Sequence, residues 1–172
     1  MNDRVNKAAI ALPTGPEIRA LTAEIRDLYE EIADYLDDDQ VERLPDYFTE
    51  DCLYKVISRE NHDEDLPAAT IFCDGIAMLR DRIVAVRETQ VYEPRAWRHF
   101  ISGVRVLENN GDVIRARANF MISEAMSDEN PTLFLVGRYL DTLVRRDGML
   151  LLRERLAVYD NHHVRRSLIV LV

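Results

Sequence analysis

The sequence predicts an α+β fold in which a curved antiparallel sheet wraps around helices to form a cone. Three observations lead there. Helical periodicity is confined to the first half of the chain, long strand-like segments fill the second half, and tight-turn signals separate those segments. Helices first and a strand meander after them describe an α+β domain. Long twisted strands curl around helices laid across one face, leaving a cone with an apolar mouth.

The elements follow in order. Residues 1–15 read as a flexible N-terminal arm, polar at first and then ALPTG without a period. Residues 16–172 read as one cone-shaped domain, with no internal repeat, low-complexity run or linker. Pro16 suits the first turn of a helix. Ile18, Leu21, Ile25, Leu28, Ile32 and Leu36 recur at helical spacing beside Tyr29, an amphipathic helix to about Asp37. The run Asp37, Asp38, Asp39 stops it and can cap a short helix at Val41, which ends at Leu44 and Pro45. Residues 52–58 suit a first strand, and 59–67 read as a polar loop. Asp74 and Gly75 open a second long helix with Ile76, Leu79, Ile83, Val84 and Val91 as its stripe. Four strands then span 97–107, 113–125, 133–144 and 149–159. Asn110-Gly111 and Asp147-Gly148 supply the backbone angles that tight hairpins want. The apolar tail SLIVLV reads as a strand paired in the sheet or buried in an oligomer, since a bare apolar edge invites aggregation.

Composition narrows the function. The 172 residues are 47% hydrophobic and 31% charged, a globular balance. A net charge of -9 makes the chain a poor candidate for gripping a nucleic-acid backbone. No signal peptide and no membrane-length apolar run are present, so the reading is a soluble, reducing, cytoplasmic setting. Cys52 and Cys73 read as small buried hydrophobes rather than a disulfide.

The candidate chemistry is sparse. His62, His99, His162 and His163 form no helical His pair and no spacing suited to an iron–sulfur centre. No phosphate loop and no nucleophile elbow appears. On 149–160, Leu150, Leu152, Leu156 and Val158 share a face with Glu154. On 133–143, Leu133, Leu135, Tyr139 and Leu143 share a face with Asp141. A carboxylate on an apolar face must be paired, protonated or part of a pocket. Asp141 or Glu154 with His99 and Tyr54 could form a lyase or isomerase site. The blander reading, and the favoured one, pairs them with Arg138, Arg153 or Arg155 at a sheet surface or subunit interface. In YEPRAWRHFISGVRV (92–106) both faces of the strand are mixed. Phe100, Val104 and Val106 lie with Arg98 and Ser102, and Trp97, His99 and Ile101 with Arg105. Trp, Tyr and Arg are enriched at interface anchors, so Trp97 and His99 read equally as core or as interface.

Three stretches carry a resemblance: YLDDDQVERLPDYFTEDCLYKV, MLRDRIVAVRETQVYEPRAWRHFISGVRV and LVGRYLDTLVRRDGMLLLRERLAVYDNHHV. Their order and spacing resemble the small (beta) subunit of aromatic-ring-hydroxylating dioxygenases, the Rieske non-haem iron oxygenases. The resemblance covers nearly the whole chain after the arm. It implies the cone fold of nuclear transport factor two and scytalone dehydratase. It implies a large (alpha) subunit that carries the Rieske iron–sulfur cluster and the mononuclear iron, with no cofactor on this chain. It further implies three large and three small subunits, fed by NAD(P)H through a reductase, often with a ferredoxin. The segment NHDEDLPAATIFCDGIAMLRDRI looks closest to members acting on aromatic carboxylic acids.

On this reading Tyr92, Arg95, Trp97, Arg98, His99 and Arg155 are assembly residues, and no residue here is catalytic. Two rivals stand beside it. One is a stand-alone dehydratase or isomerase of the same fold using Tyr54, His99, Asp141 and Glu154. The other is a binding module that uses the cone without chemistry.

Overall fold

The first helix, α1 (Pro16–Asp37), buries Leu21, Ile25, Tyr29, Ile32 and Leu36 along one stripe, with Pro16 in its first turn. Each such apolar side chain taken from water contributes roughly 1.5–3 kcal/mol. The computed structural model describes residues 12–88, 95–162 and 171–172. The expected arm thus falls mainly outside the described residues, as do Tyr92, His163 and most of the SLIVLV tail.

A 3-10 turn, Val41–Tyr47, follows α1 and carries Pro45 inside it. The chain then enters β1 (Phe48–Ser58), four residues earlier than the sequence reading placed it. The expected polar loop holds a short helix, α2 (Arg59–Asp63), because the Ser58 hydroxyl accepts from the Asn61 N–H at 3.2 Å and caps it. A strand that was not foreseen, β2 (Ile71–Asp74), precedes α3 (Ile76–Glu88). In α3 the buried stripe is Ile76, Leu79, Ile83 and Val86, and Val84 points to solvent. Val91 lies outside the described residues. The Arg87 guanidinium at the end of α3 clamps the α1 exit. It bonds Glu42 at 2.5 Å and Asp39 at 2.7 Å, and also reaches the Asp39 carbonyl.

Four long strands complete the fold: β3 (Arg95–Asn109), β4 (Val113–Met126), β5 (Thr132–Arg146) and β6 (Met149–Tyr159). Among the described residues the sheet runs β2-β1-β6-β5-β4-β3. The sheet is mixed rather than wholly antiparallel, because β1 pairs parallel with β6 while every other pairing is antiparallel. β1 therefore inserts beside the last strand, and the chain between them forms the crossover. Asp147 (φ 50°) and Gly148 (φ 82°) make the β5–β6 hairpin with the double positive turn that matches strand twist.

Bulges set which side chains face inward. On β3 the register slips between Ser102 and Arg105, with Gly103 at φ 62°. Trp97, the His99 ring and Ile101 face the helices before the slip, and Val104 and Val106 face them after it. The two mixed faces of the sequence reading are thus one apolar face interrupted by a bulge. On β6 the register slips at Arg153, which has no partner between the pairs Thr142–Glu154 and Leu143–Leu152. Leu150 and Leu152 point inward before it, and Arg155 and Ala157 after it. Glu154 is therefore turned to the outer face, away from Leu150 and Leu152, where it accepts from the Thr142 hydroxyl at 2.7 Å.

Candidate functional site

The inner face carries one polar rung. Cross-strand register aligns Cys73, Tyr54, Arg155, Asp141, Ala116 and Val106 from one sheet edge to the other. Arg155 forks onto Asp141, with Nη2 at 2.8 Å and Nε at 3.1 Å from Oδ2. Both side chains are all but sealed, at 2% and 0% exposure. The guanidinium lies 4.2 Å from the Tyr139 ring centre and 4.9 Å from that of Tyr29, which α1 lays across the rung. Burial works against the Arg155 charge, and Asp141 outweighs it and holds the proton more firmly than usual. Burial also pushes the Asp141 carboxyl above its ordinary range, against the pull of Arg155. An arginine keeps its proton in a protein, so Asp141 serves as its counter-ion. Burial raises the phenols of Tyr29, Tyr54 and Tyr139, so all three stay protonated. Phe120 stacks on Tyr139 at 4.6 Å, and both rings are buried.

A second cluster stands where β3 begins. The His99 Nδ1 lies 2.7 Å from Asp37 Oδ1, and the His99 main-chain N–H donates to the same carboxylate. Asp37 is the last residue of α1, where the helix dipole disfavours a negative charge. His99 and Arg98, the latter 3.5 Å away, offset that and pin the helix end to the edge strand. The imidazole is 2% exposed, and its Nε2 has no hydrogen-bond partner among the described residues. One strand position earlier on the same face, Trp97 packs edge-on to Phe134 at 4.9 Å. Arg95 bonds Glu124 at 2.5 Å and lies near the Trp97 ring.

The outer face of the sheet is open. Rungs read Arg98–Ser123–Leu133, Phe100–Met121–Val136 and Ser102–Asn119–Arg138. Phe100 is 52% exposed, Leu133 53% and Met121 39%. Beside them runs a groove of about 820 Å³ whose far wall is α2, with Arg59, His62 and Asp63. Apolar side chains of this size clustered on one exposed face mark an interaction surface.

The structure places the expected residues as follows. Tyr54 and Asp141 share the inner rung, Glu154 faces outward, and His99 is engaged with Asp37 near the sheet edge. The four do not converge on one point. Arg155 sits inside its own chain. Arg95 and Trp97 are largely covered, Arg98 is open, with its side chain 67% exposed, and Tyr92 lies outside the described residues. Reading the sequence missed Asp37 as the partner of His99, and Phe100, Met121 and Leu133 as an exposed set. Their alternation along β3, β4 and β5 was the available signal, and the bulges obscured it. Cys52 and Cys73 are both buried, and burial pushes the Cys52 thiol up to about 11. Among the described residues, no three His, Cys, Asp or Glu side chains gather to hold a metal. No described helix is long and apolar enough to cross a membrane.

Comparison with known proteins supplies the family. A family model described as ring hydroxylating beta subunit matches residues 31–166. The chain is 34% identical over 134 residues to the anthranilate 1,2-dioxygenase small subunit of Burkholderia cepacia, covering 78% of this chain and 83% of that one. It is 40% identical over 128 residues to a beta subunit of the terephthalate 1,2-dioxygenase terminal oxygenase component of a Comamonas species, covering 73% and 82%. The crystal structure of the beta subunit of a candidate aromatic-ring-hydroxylating dioxygenase from Novosphingobium aromaticivorans superposes with a TM-score of 0.81. That match has 32% identity and covers 88% of this chain and 96% of that one. A candidate scytalone dehydratase from the same organism, 18% identical with a TM-score of 0.66 over 87% and 92%, shares the fold. The chain belongs to the ring-hydroxylating beta-subunit family.

Proposed function

We propose that this chain supports the assembly of catalytic large subunits in an oxygenase that acts on an aromatic carboxylic acid. The exposed cluster Phe100, Met121 and Leu133 on the outer sheet face carries the reading. Such a surface is costly in water and favourable when covered. Arg98, open at the rim, supplies a charged contact that sets orientation. Trp97, His99 and Arg95 act beneath it by fixing β3, the edge strand. The assembly has three large and three small subunits in the cytoplasm. The large subunit carries the Rieske cluster and mononuclear iron, and a reductase, with or without a ferredoxin, delivers electrons from NAD(P)H. The aromatic acid is inferred from the anthranilate and terephthalate relatives.

Affinity purification of the tagged chain from its native host tests this. A larger, iron-containing partner should co-elute in equal amount. Phe100→Asp should abolish that recovery while the variant stays folded, because an unpaired charge in a covered apolar interface costs several kcal/mol. A chain that elutes alone, or a Phe100→Asp chain that assembles normally, would sink the reading.

A further inference from the structure

Residues 12–15, LPTG, have no period in the sequence and no part in assembly, yet they have a place in the fold. With the first turns of α1 and the later part of β3 they wall a cavity of about 460 Å³. The last residue of α1, Asp37, meets His99 nearer the start of the same strand. The cavity and the Arg98–Phe100 surface therefore lie toward opposite ends of β3. Its apolar walls include Leu12, the half-buried Ile18 and the fully buried Val106. Three arginines line it as well, Arg19 and Arg26 from α1 and Arg105 from β3, and no Asp or Glu does. Arg19 and Arg26 stand two turns apart on one helix face, about 10 Å along the axis. Among the described residues none of the three is ion-paired. Arg105 donates to the Val104 carbonyl, at 3.4 Å. Asp and Glu outnumber Lys and Arg by 31 to 22 in this chain, so three cations around one cavity without an acid reverse its charge locally. The residues before Leu12 carry Arg4 and Lys7 against Asp3, so that segment supplies no counter-ion.

We propose that this cavity binds a small carboxylate with an apolar body. The carboxylate meets the guanidinium groups of Arg19, Arg26 and Arg105, and the body lies on Leu12, Ile18 and Val106. The volume falls within the roughly 300–1,000 Å³ of small-molecule pockets. A guanidinium fork matches a carboxylate with two parallel hydrogen bonds. Like charges gathered on one cavity repel one another, and an anion relieves that repulsion. The three arginines are exposed, so their contribution is modest and screened by salt, and burial of the apolar body supplies the rest. An aromatic acid and a fatty acid share this chemistry. The site uses neither the outer sheet face nor the inner rung, so it stands or falls apart from the assembly reading.

The test titrates the full chain, labelled for amide NMR, with naphthoate at neutral pH and low salt. The amides of Ile18 and Val106 should shift and saturate with a Kd of about 1 mM or tighter, while Leu133 and Arg138 on the outer sheet face stay unchanged. Naphthamide, the same body without the charge, should bind at least about 5-fold more weakly. Arg19→Gln/Arg26→Gln/Arg105→Gln removes three exposed charges and no buried group, and should weaken naphthoate by about 10-fold or more. Octanoate decides the source: binding tighter than naphthoate assigns the body as an acyl chain, and weaker binding assigns it as an aromatic ring. No shift at Ile18 and Val106 up to about 10 mM probe, or shifts centred on Arg138 instead, overturns the proposal. Naphthamide binding as well as naphthoate, or a triple variant binding as the parent does, overturns it equally. Should the triple variant not fold, the naphthoate and naphthamide titrations of the unaltered chain decide the matter.

Discussion

Replacing Asp141 by alanine tests whether the polar rung is a dry ion pair. Arg155 and Asp141 are fully enclosed and 2.8 Å apart at closest approach. At an effective dielectric of about 20 their attraction is about 6 kcal/mol. Withdrawing both charges from water costs several kcal/mol per ion, so the net contribution of the pair is small. Removing one partner is another matter, because the remaining charge keeps its desolvation cost and loses its compensation. Tyr29 and Tyr139, themselves in edge contact, both present a ring to the guanidinium and return about 1–2 kcal/mol of that. Asp141→Ala should therefore lose about 3–5 kcal/mol. For a chain of this length that is a fall in Tm of about 6–20 °C. Arg155→Met/Asp141→Leu should return to within about 2 kcal/mol of the parent, since no charge is then stranded. The assay is urea unfolding at pH 7, followed by the fluorescence of Trp97, the single tryptophan. An Asp141→Ala loss below about 1 kcal/mol would show that water reaches the rung. A double variant as weak as the single one would show that stranded charge is not the cause.

Two further outcomes follow from local geometry. Gly137→Ala should cost at least about 3 kcal/mol and collapse the soluble yield, because the new Cβ would lie 2.2 Å from the Val158 carbonyl oxygen and 2.7 Å from Phe120; a Tm within a degree of the parent would refute the clash. Arg87→Ala should cost about 1 kcal/mol at pH 7, since its partners Asp39 and Glu42 are largely exposed. The hydrogen bond from Arg87 holds the Glu42 carboxyl below its ordinary value of 4.5, so this stabilisation is present above that pH and lost as pH falls through the depressed value. The gap between parent and Arg87→Ala should close below about pH 4.5, and a gap that persists in acid would show that the guanidinium acts by packing instead.

The long elements were legible because their signal is repeated. The α1 stripe recurs over five turns, and Asp147-Gly148 can hardly be anything but a tight hairpin. What sequence could not give is the phase of a strand past a bulge. One extra residue reverses every later side chain. Reading β6 as unbroken put Glu154 with the inward leucines, whereas Arg153 absorbs the extra position and Arg155 turns in. Reading β3 as unbroken made both faces look mixed, whereas Gly103 switches the apolar set from odd to even positions. β2 was too short, at four residues, to show alternation. The partner of His99 was hidden for another reason: Asp37 looked like a helix-stopping aspartate, and only the crossing of α1 over β3 brings the two together.

The same bulges bear on function. A cone of this shape can host proton-transfer chemistry if its interior presents a titratable group to an open cavity, and fold alone does not decide that. Here the inward turn at Arg155 puts a guanidinium where a free carboxylate would otherwise act. Asp141 spends its oxygens on that cation, and Tyr29 closes over both. His99 is bound to Asp37 through Nδ1. On the proposed reading, the face that meets other molecules is the outer one. There the bulge at Gly103 leaves Phe100 outward beside Met121, while Val104 and Val106 turn in. A single extra residue in each of two strands thus sets which side chains lie on the buried face of the sheet and which on the exposed one. That division predicts that substitutions at Phe100, Met121 and Leu133 will affect assembly before stability, and those at Arg155 and Asp141 the reverse.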